Sequence, residues 1–135
     1  MGIPSMAVSL DNFDQSSDMS LAADVAYSVA SRLCDLGLPA GTLLNINVPH
    51  IPRSDFKGLR VTRQGRSVWK DTYDVRKDPQ GQPYYWLTGD FVTLEPLADA
   101  DDLAVAEGWA AITPLQYEQT NVDEFVRLKS LNIEL

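Results

Sequence analysis

With one cysteine and one histidine in 135 residues, the chain can close no intramolecular disulfide and can assemble no zinc site of the His/Cys type. Cys34 lies beside Ala30, Leu33 and Leu36 on an apparent helix, so a small buried apolar residue is expected there rather than a nucleophile. A Ser/His/Asp or Cys/His catalytic set would have to use His50, which stands between Pro49 and Pro52 and is expected as a solvated loop histidine. Phosphate-binding glycine loops are missing too, since neither GxGxxG nor GxxxxGK followed by Ser or Thr occurs. No apolar run approaches the roughly 20 residues of a membrane helix. Basic residues are outnumbered 11 to 19, and the net charge of −8 argues against nucleic acid or an anionic membrane as partner. No basic stretch followed by an apolar core opens the chain, so the cytoplasm is the expected location.

What is present reads as an α/β chain. Met6, Val8 and Leu10 alternate as a strand, and the polar stretch from Asp11 to Asp18 leads into a helix. Leu21, Val25, Val29, Leu33 and Leu36 recur at helical spacing, with Ala22, Ala26 and Ala30 beside them, until Gly37 and Pro39 stop the helix. Leu44, Ile46 and Val48 form a second strand that Pro49 ends. Strand, helix and strand make one βαβ unit over 1–57, which implies a parallel sheet with a crossover helix. The strand begins right after Met1-Gly2-Ile3-Pro4, so the domain is expected to start upstream of this segment.

Over 58–90 the pattern becomes a long β-ribbon, closed by Asp78-Pro79-Gln80-Gly81 as a type I turn with a left-handed glycine. Five of the 12 aromatic residues, Trp69, Tyr73, Tyr84, Tyr85 and Trp86, fall on it. A two-stranded ribbon cannot bury them against itself, so they need the body of the domain or another subunit. The remaining 91–135 reads as a short helix from Leu103 to Glu107, a strand from Trp109 that ends near Pro114, and a C-terminal helix through Leu131. That last helix is capped by Thr120 or Asn121, and its apolar side carries Val122, Phe125 and Val126.

Three groups of residues are candidates for chemistry. Ser9 and Asp11 follow the carboxyl end of the first strand and Asn47 that of the second, where open α/β sheets bind ligands; a substrate-pocket wall and a solvated strand end both account for them. The acidic trio Asp99, Asp101 and Asp102 lacks the glycine and glutamate of an EF-hand and is expected to cap the helix that follows. Seven of the 11 basic residues lie between Lys57 and Lys77, either protecting an exposed ribbon edge or reaching an acidic partner surface or an anionic substrate.

Six segments in order, GIPSMAVSL, the helix, GTLLNINVP, GLRVTRQGR, DPQGQPYYWLTG and AEGWAAITPLQ, resemble the C-terminal half of the SurE family of stationary-phase survival proteins. Departures are mild: Ala100 stands where a threonine often precedes the aspartate Asp101, and Trp109 replaces a usual tyrosine. The resemblance implies a Rossmann-like fold of which 1–135 is the C-terminal portion. It implies a phosphatase acting on nucleoside 5′- and 3′-monophosphates, in some members also on polyphosphate, with a divalent metal such as Mg or Mn. The family's metal ligands, an Asp-Asp pair, a serine and the asparagine of a Ser-Gly-Ile-Asn stretch, have no counterpart here, so no catalytic or metal-binding residue is assigned. The resemblance also implies that the protruding hairpin and the C-terminal helix join neighbouring subunits into dimers or tetramers.

Two functions follow as expectations. The first is the C-terminal portion of a 5′/3′-nucleotidase, inactive alone, supplying a pocket wall (Ser9, Asp11, Asn47) and an oligomerisation ribbon (Trp69, Tyr73, Tyr84, Trp86). The second is a non-catalytic interaction module that docks through that ribbon, and a gene remnant or misplaced start is a third origin. An open sheet without further strands is expected to expose an apolar face and to self-associate.

Overall fold

The computed structural model describes residue 3, residues 5–95 and residues 97–131. Met1, Gly2 and Pro4 of the opening segment, and residues 96 and 132–135 of the C-terminal portion, lie outside the described residues. Strand β1 (Ser5–Asp11) pairs in parallel with β2 (Thr42–Pro49), and helix α1 (Ser20–Leu36) connects them. The βαβ unit read from the alternation is therefore present. The sheet is mixed, however. Strand β6 (Ala110–Gln116) runs antiparallel to β2, and the short β3 (Leu59–Val61) runs parallel to β6, giving the order β1-β2-β6-β3.

Two of these assignments change the boundaries expected from sequence. Residues 59–61 belong to the sheet, and the ribbon is formed by β4 (Arg66–Lys77) and β5 (Pro83–Glu95), so it begins later and ends later than 58–90. Pro114 lies inside β6 instead of ending it. The three residues of β3 stop opposite Ile112, so the outer edge of β6 at Pro114 has no strand to receive an N–H.

One face of the sheet carries the core. Leu21, Ala22, Val25 and Val29 of α1 pack on Leu44, Ile46, Val48 and Ala110, with Met6, Val8 and Leu10 partly buried at the β1 side. Cys34 is exposed, contrary to the expectation of burial. At 100° per residue it lies opposite Val25 on the helix, and the last turn has no sheet beneath that side. Leu36 is likewise 83% exposed. The sheet's second face is covered only in part, by α2 (Asp101–Ala106), whose Ala104 is buried against β6 and β2. Thr62 and Thr113 are buried near it and satisfy each other through hydroxyls 2.9 Å apart. Over β1 this face is Ser5, Ala7 and Ser9, small and exposed, so the uncovered part of the sheet is not the apolar surface expected.

The ribbon leaves the body at Gly65. Asp101 Oδ1 accepts from the Gly65 N–H at 2.8 Å and from the Asp102 N–H at 2.9 Å, while Asp102 Oδ2 accepts from the Ser67 hydroxyl at 2.6 Å. A Cβ on residue 65 would sit 2.9 Å from Asp102 Oδ1 and 3.1 Å from Asp101 Oδ1, so only glycine allows this approach. The acidic trio does not supply the cap expected of it, since the N-cap of α2 is Ala100 and makes no side-chain cap hydrogen bond. Its first-turn carboxylates hold the ribbon base, and Asp99 pairs with Arg63 at 2.7 Å. At the far end Gly81 takes φ +84°, its N–H donates to the Asp78 carbonyl at 2.9 Å, and Asp78 Oδ1 accepts from the Gln80 and Gln82 N–H groups. Helix α3 (Val122–Ser130) starts at Asn121, whose side chain accepts from the Glu124 N–H at 3.0 Å, and its Val122, Phe125 and Val126 are exposed.

Three outcomes follow for stability. Ile46 is fully buried, so Ile46→Ala is expected to cost about 2–5 kcal/mol in urea denaturation. Asp101→Ala removes a charged acceptor from the Gly65 N–H and is expected to cost about 1.5–3 kcal/mol, with faster hydrogen exchange at Gly65; an unchanged exchange rate would show that the clamp does not hold the ribbon. The Asp18 carboxyl is held below its ordinary value by the Ser20 N–H first and the Ser20 hydroxyl second. A depressed folded-state pKa gives stability that is full above the unfolded value and lost as pH falls through the folded one. The order of α1's first turn, followed by NMR, is expected to decline only below the normal carboxylate range, and Asp18→Asn should remove that acid limb.

Candidate functional site

The carboxyl ends of β1 and β2, the first turns of α2 and the base of the ribbon enclose a cleft of about 580 Å³. Its formation follows from strand alternation. Met6, Val8 and Leu10 face α1, so Ser9 and Asp11 turn to the other side of the sheet. Ile46 and Val48 are buried against α1, which sends Asn47 to the same side, in register with Ser9. The ribbon base then stands across from them, with Ser67, Trp69 and Phe91 on its inner face. Trp69 and Phe91 are cross-strand partners, with ring centroids 5.9 Å apart at 67°, an edge-to-face pair.

All three residues expected as a pocket wall, Ser9, Asp11 and Asn47, line this cleft. Their side chains make no hydrogen bond to any other described residue, which leaves their polar atoms open to a ligand. His50 is exposed, as expected, and its Nδ1 lies 3.0 Å from Asn12 Nδ2, away from the cleft lining. The residues that sequence reading missed are Phe13, Gln64, Gly65, Ser67, Phe91 and the two aspartates Asp101 and Asp102. Only the aspartates carried a signal, and it was read as helix capping; the rest come from segments that meet only in the folded chain.

The four ribbon aromatics do not share one surface. Register pairs Trp69 with Phe91, Tyr73 with Leu87 and Val75 with Tyr85, which makes one apolar face. Tyr84 and Trp86 oppose Arg76 and Asp74 on the other face, where the Arg76 guanidinium lies 5.4 Å from the Trp86 ring centre. All of these side chains are exposed, Tyr73 at 67% and Trp86 at 57%.

The arginines of the basic stretch are committed within the chain. Arg60 pairs with Glu107 at 2.7 Å and stacks on Trp109 at 4.5 Å, Arg66 pairs with Glu95 at 2.9 Å and Arg76 with Asp74 at 2.7 Å. Among the described residues, no lysine, arginine or histidine lines the cleft. The donor set does not suit a divalent ion either. Asp101 and Asp102 are engaged with the ribbon base, and among the described residues no three His, Cys, Asp or Glu side chains converge. No helix among the described residues is long and apolar enough to cross a membrane.

Residues 1–71 match the sequence profile of the family Survival protein SurE. The chain is 44% identical over 133 residues to the 5′-nucleotidase SurE of Symbiobacterium thermophilum, covering 98% of this chain and 52% of that protein. With the 5′-nucleotidase SurE of Moorella thermoacetica it shares 44% identity over 120 residues, 89% of this chain and 46% of the relative. Among solved structures, the SurE protein from Aquifex aeolicus superposes with a TM-score of 0.76 at 30% identity, covering 98% of this chain and 53% of that one. The chain spans about half the length of the curated relatives it matches. A cleft at the carboxyl ends of parallel strands, a fold that superposes on a SurE structure and a profile match over half the residues lead to one conclusion: the chain belongs to the SurE family.

Proposed function

We propose that this chain is the C-terminal portion of a divalent-metal-dependent phosphatase of nucleoside monophosphates, a 5′/3′-nucleotidase, acting in the cytoplasm. The observation that carries the reading is the convergence of Ser9, Asp11 and Asn47 on one cleft at the carboxyl ends of β1 and β2, in a chain whose family relatives are named 5′-nucleotidases. Open α/β sheets bind their ligands at that end because the loops there are free to diverge around a substrate.

In this reading Ser9, Asp11 and Asn47 form one wall of the substrate pocket, and the ribbon base forms the opposite one. A divalent ion such as Mg or Mn would polarise the phosphoryl oxygens if held by the rest of the protein. This chain's residues do not fit it, and none is assigned as a ligand. The chain's own contribution is therefore shape and orientation. The Asp101 and Asp102 hydrogen bonds hold the ribbon base against α2, on the side of the cleft facing β1 and β2.

A second reading, an oligomerisation module that docks through the ribbon, draws on the exposed face of Tyr73, Val75, Tyr85 and Leu87. Contiguous apolar side chains of this kind mark protein interfaces in soluble proteins. The two readings are compatible. We assign that face, together with the exposed apolar side of α3, to contacts that build a dimer or tetramer.

The purified chain is expected to release no phosphate from AMP with manganese or magnesium present. Metal-dependent turnover above an EDTA control would place the reacting groups within these residues and overturn the division of labour proposed. For assembly, Tyr73→Ala combined with Leu87→Ala is expected to convert a defined oligomer to monomer in light scattering. Tyr84→Ala with Trp86→Ala, on the opposite face, should shift the mass less, and an unchanged mass in the first pair would remove the ribbon from the interface.

A further inference from the structure

The lining of the cleft is divided in a way that bears on which end of a substrate it takes. Among the described residues, three carboxylates, Asp11, Asp101 and Asp102, line it and no cationic side chain does. A phosphate monoester carries nearly two negative charges at neutral pH and would be repelled by that wall. The opposite character appears at the ribbon base and the loop after β1. Phe13, Trp69 and Phe91 line the cleft there and are 97%, 61% and 53% exposed. Between the two lie Ser9, Asn47 and Gln64, whose side chains have no hydrogen-bond partner among the described residues. The volume of about 580 Å³ lies within the range of roughly 300–1,000 Å³ typical of small-molecule sites.

We infer that, for nucleoside 5′-monophosphates, this chain's share of the pocket holds the nucleoside end of the substrate, with Trp69 as the stacking platform for the base and Asp11 as acceptor for the sugar hydroxyls, while the phosphate points away from these residues. The inference rests on the phosphatase reading of the cleft. An indole presents the largest flat π-surface available there, and stacking on it serves any nucleobase. Trp69 is also well anchored. It lies two residues from Ser67, which donates to Asp102 at 2.6 Å, and its ring is braced by the edge-to-face contact with Phe91. A carboxylate is an acceptor only, which suits the two donor hydroxyls of a ribose and does not suit a phosphate. Asp11 ends β1 with both oxygens free of partners among the described residues, so it can accept two such bonds. Trp69 and Asp11 are thus substrate-binding residues that set the pocket's preference for nucleosides over bare sugar phosphates.

The test is an NMR titration of the isotope-labelled chain with adenosine, ribose 5-phosphate and AMP. Adenosine and AMP are expected to shift the Trp69 indole N–H and the Gly65 amide, and ribose 5-phosphate to leave both in place. Trp69→Ala should weaken adenosine binding at least about fivefold, the low end for loss of one stacked base. Asp11→Ala should weaken adenosine but not 2′,3′-dideoxyadenosine. Should Trp69→Ala fail to fold, the wild-type shifts and the Asp11 comparison still decide. Shifts from ribose 5-phosphate without shifts from adenosine would overturn the nucleoside assignment and leave the phosphatase reading standing. Silence of the cleft toward all three, AMP included, would overturn the phosphatase reading and the inference with it.

Discussion

Two adjacent carboxylates at the start of α2 determine where the ribbon leaves the body, and the rest of the arrangement depends on that anchorage. Asp101 and Asp102 reach a backbone N–H at Gly65 and a hydroxyl at Ser67, about 35 residues earlier in the chain. Charge-assisted hydrogen bonds of this kind are stronger than neutral ones, and the absence of a Cβ at Gly65 lets both carboxylates close in. Without that contact, a two-stranded ribbon of 12 and 13 residues would be tied to α2 and its approach only through Arg63, which pairs with Asp99 and bridges to Ala100. With it, Trp69 and Phe91 are placed over the polar ends of β1 and β2, and a cleft exists.

The sheet itself divides labour between its faces. α1 covers the face that carries Ile46 and Val48, where burial of branched apolar side chains supplies the stability of the fold. The other face is covered by α2 over β2 and β6 and left open over β1. Its residues there are small or polar, Ser5, Ala7 and Ser9, which makes an open face tolerable in water. Much of the apolar surface that does remain exposed sits on the ribbon and on α3, with Phe13, Tyr27, Leu36 and Val61 exposed elsewhere. The buried residues of the chain lie in the packing of α1 and α2 on the sheet, while the ribbon and α3 carry exposed apolar side chains.

Local chemistry was legible from the residues one by one. The alternation around Val8 and Ile46, the helical spacing of Leu21, Val25 and Val29, the Asn121 cap with Glu124 and the Asp78–Gly81 turn each predicted the element observed. Where the reading strayed, a distant partner had the deciding role. β3 is too short to announce itself and is a strand only because β6 lies alongside it. Pro114 is tolerated inside β6 because β3 ends before reaching it. Cys34 has the neighbours of a buried residue in sequence and is exposed because the sheet does not extend beneath its side of α1.

The same division holds for the site. Side-chain parity sent Ser9, Asp11 and Asn47 to one face of two parallel strands, and that followed from the pattern of apolar residues around them, since a period of two allows no other outcome once Leu10 and Val48 face α1. Which residues stand across from them was decided in three dimensions. Gln64, Ser67, Trp69 and Phe91 join the cleft because α2 draws the ribbon base inward, and the ribbon's register places Phe91 beside Trp69 and turns Trp86 to the opposite face. Short-range periodicity is written in neighbouring residues, whereas contacts across tens of residues depend on how sheet, helix and ribbon pack, and only the folded chain contains that information.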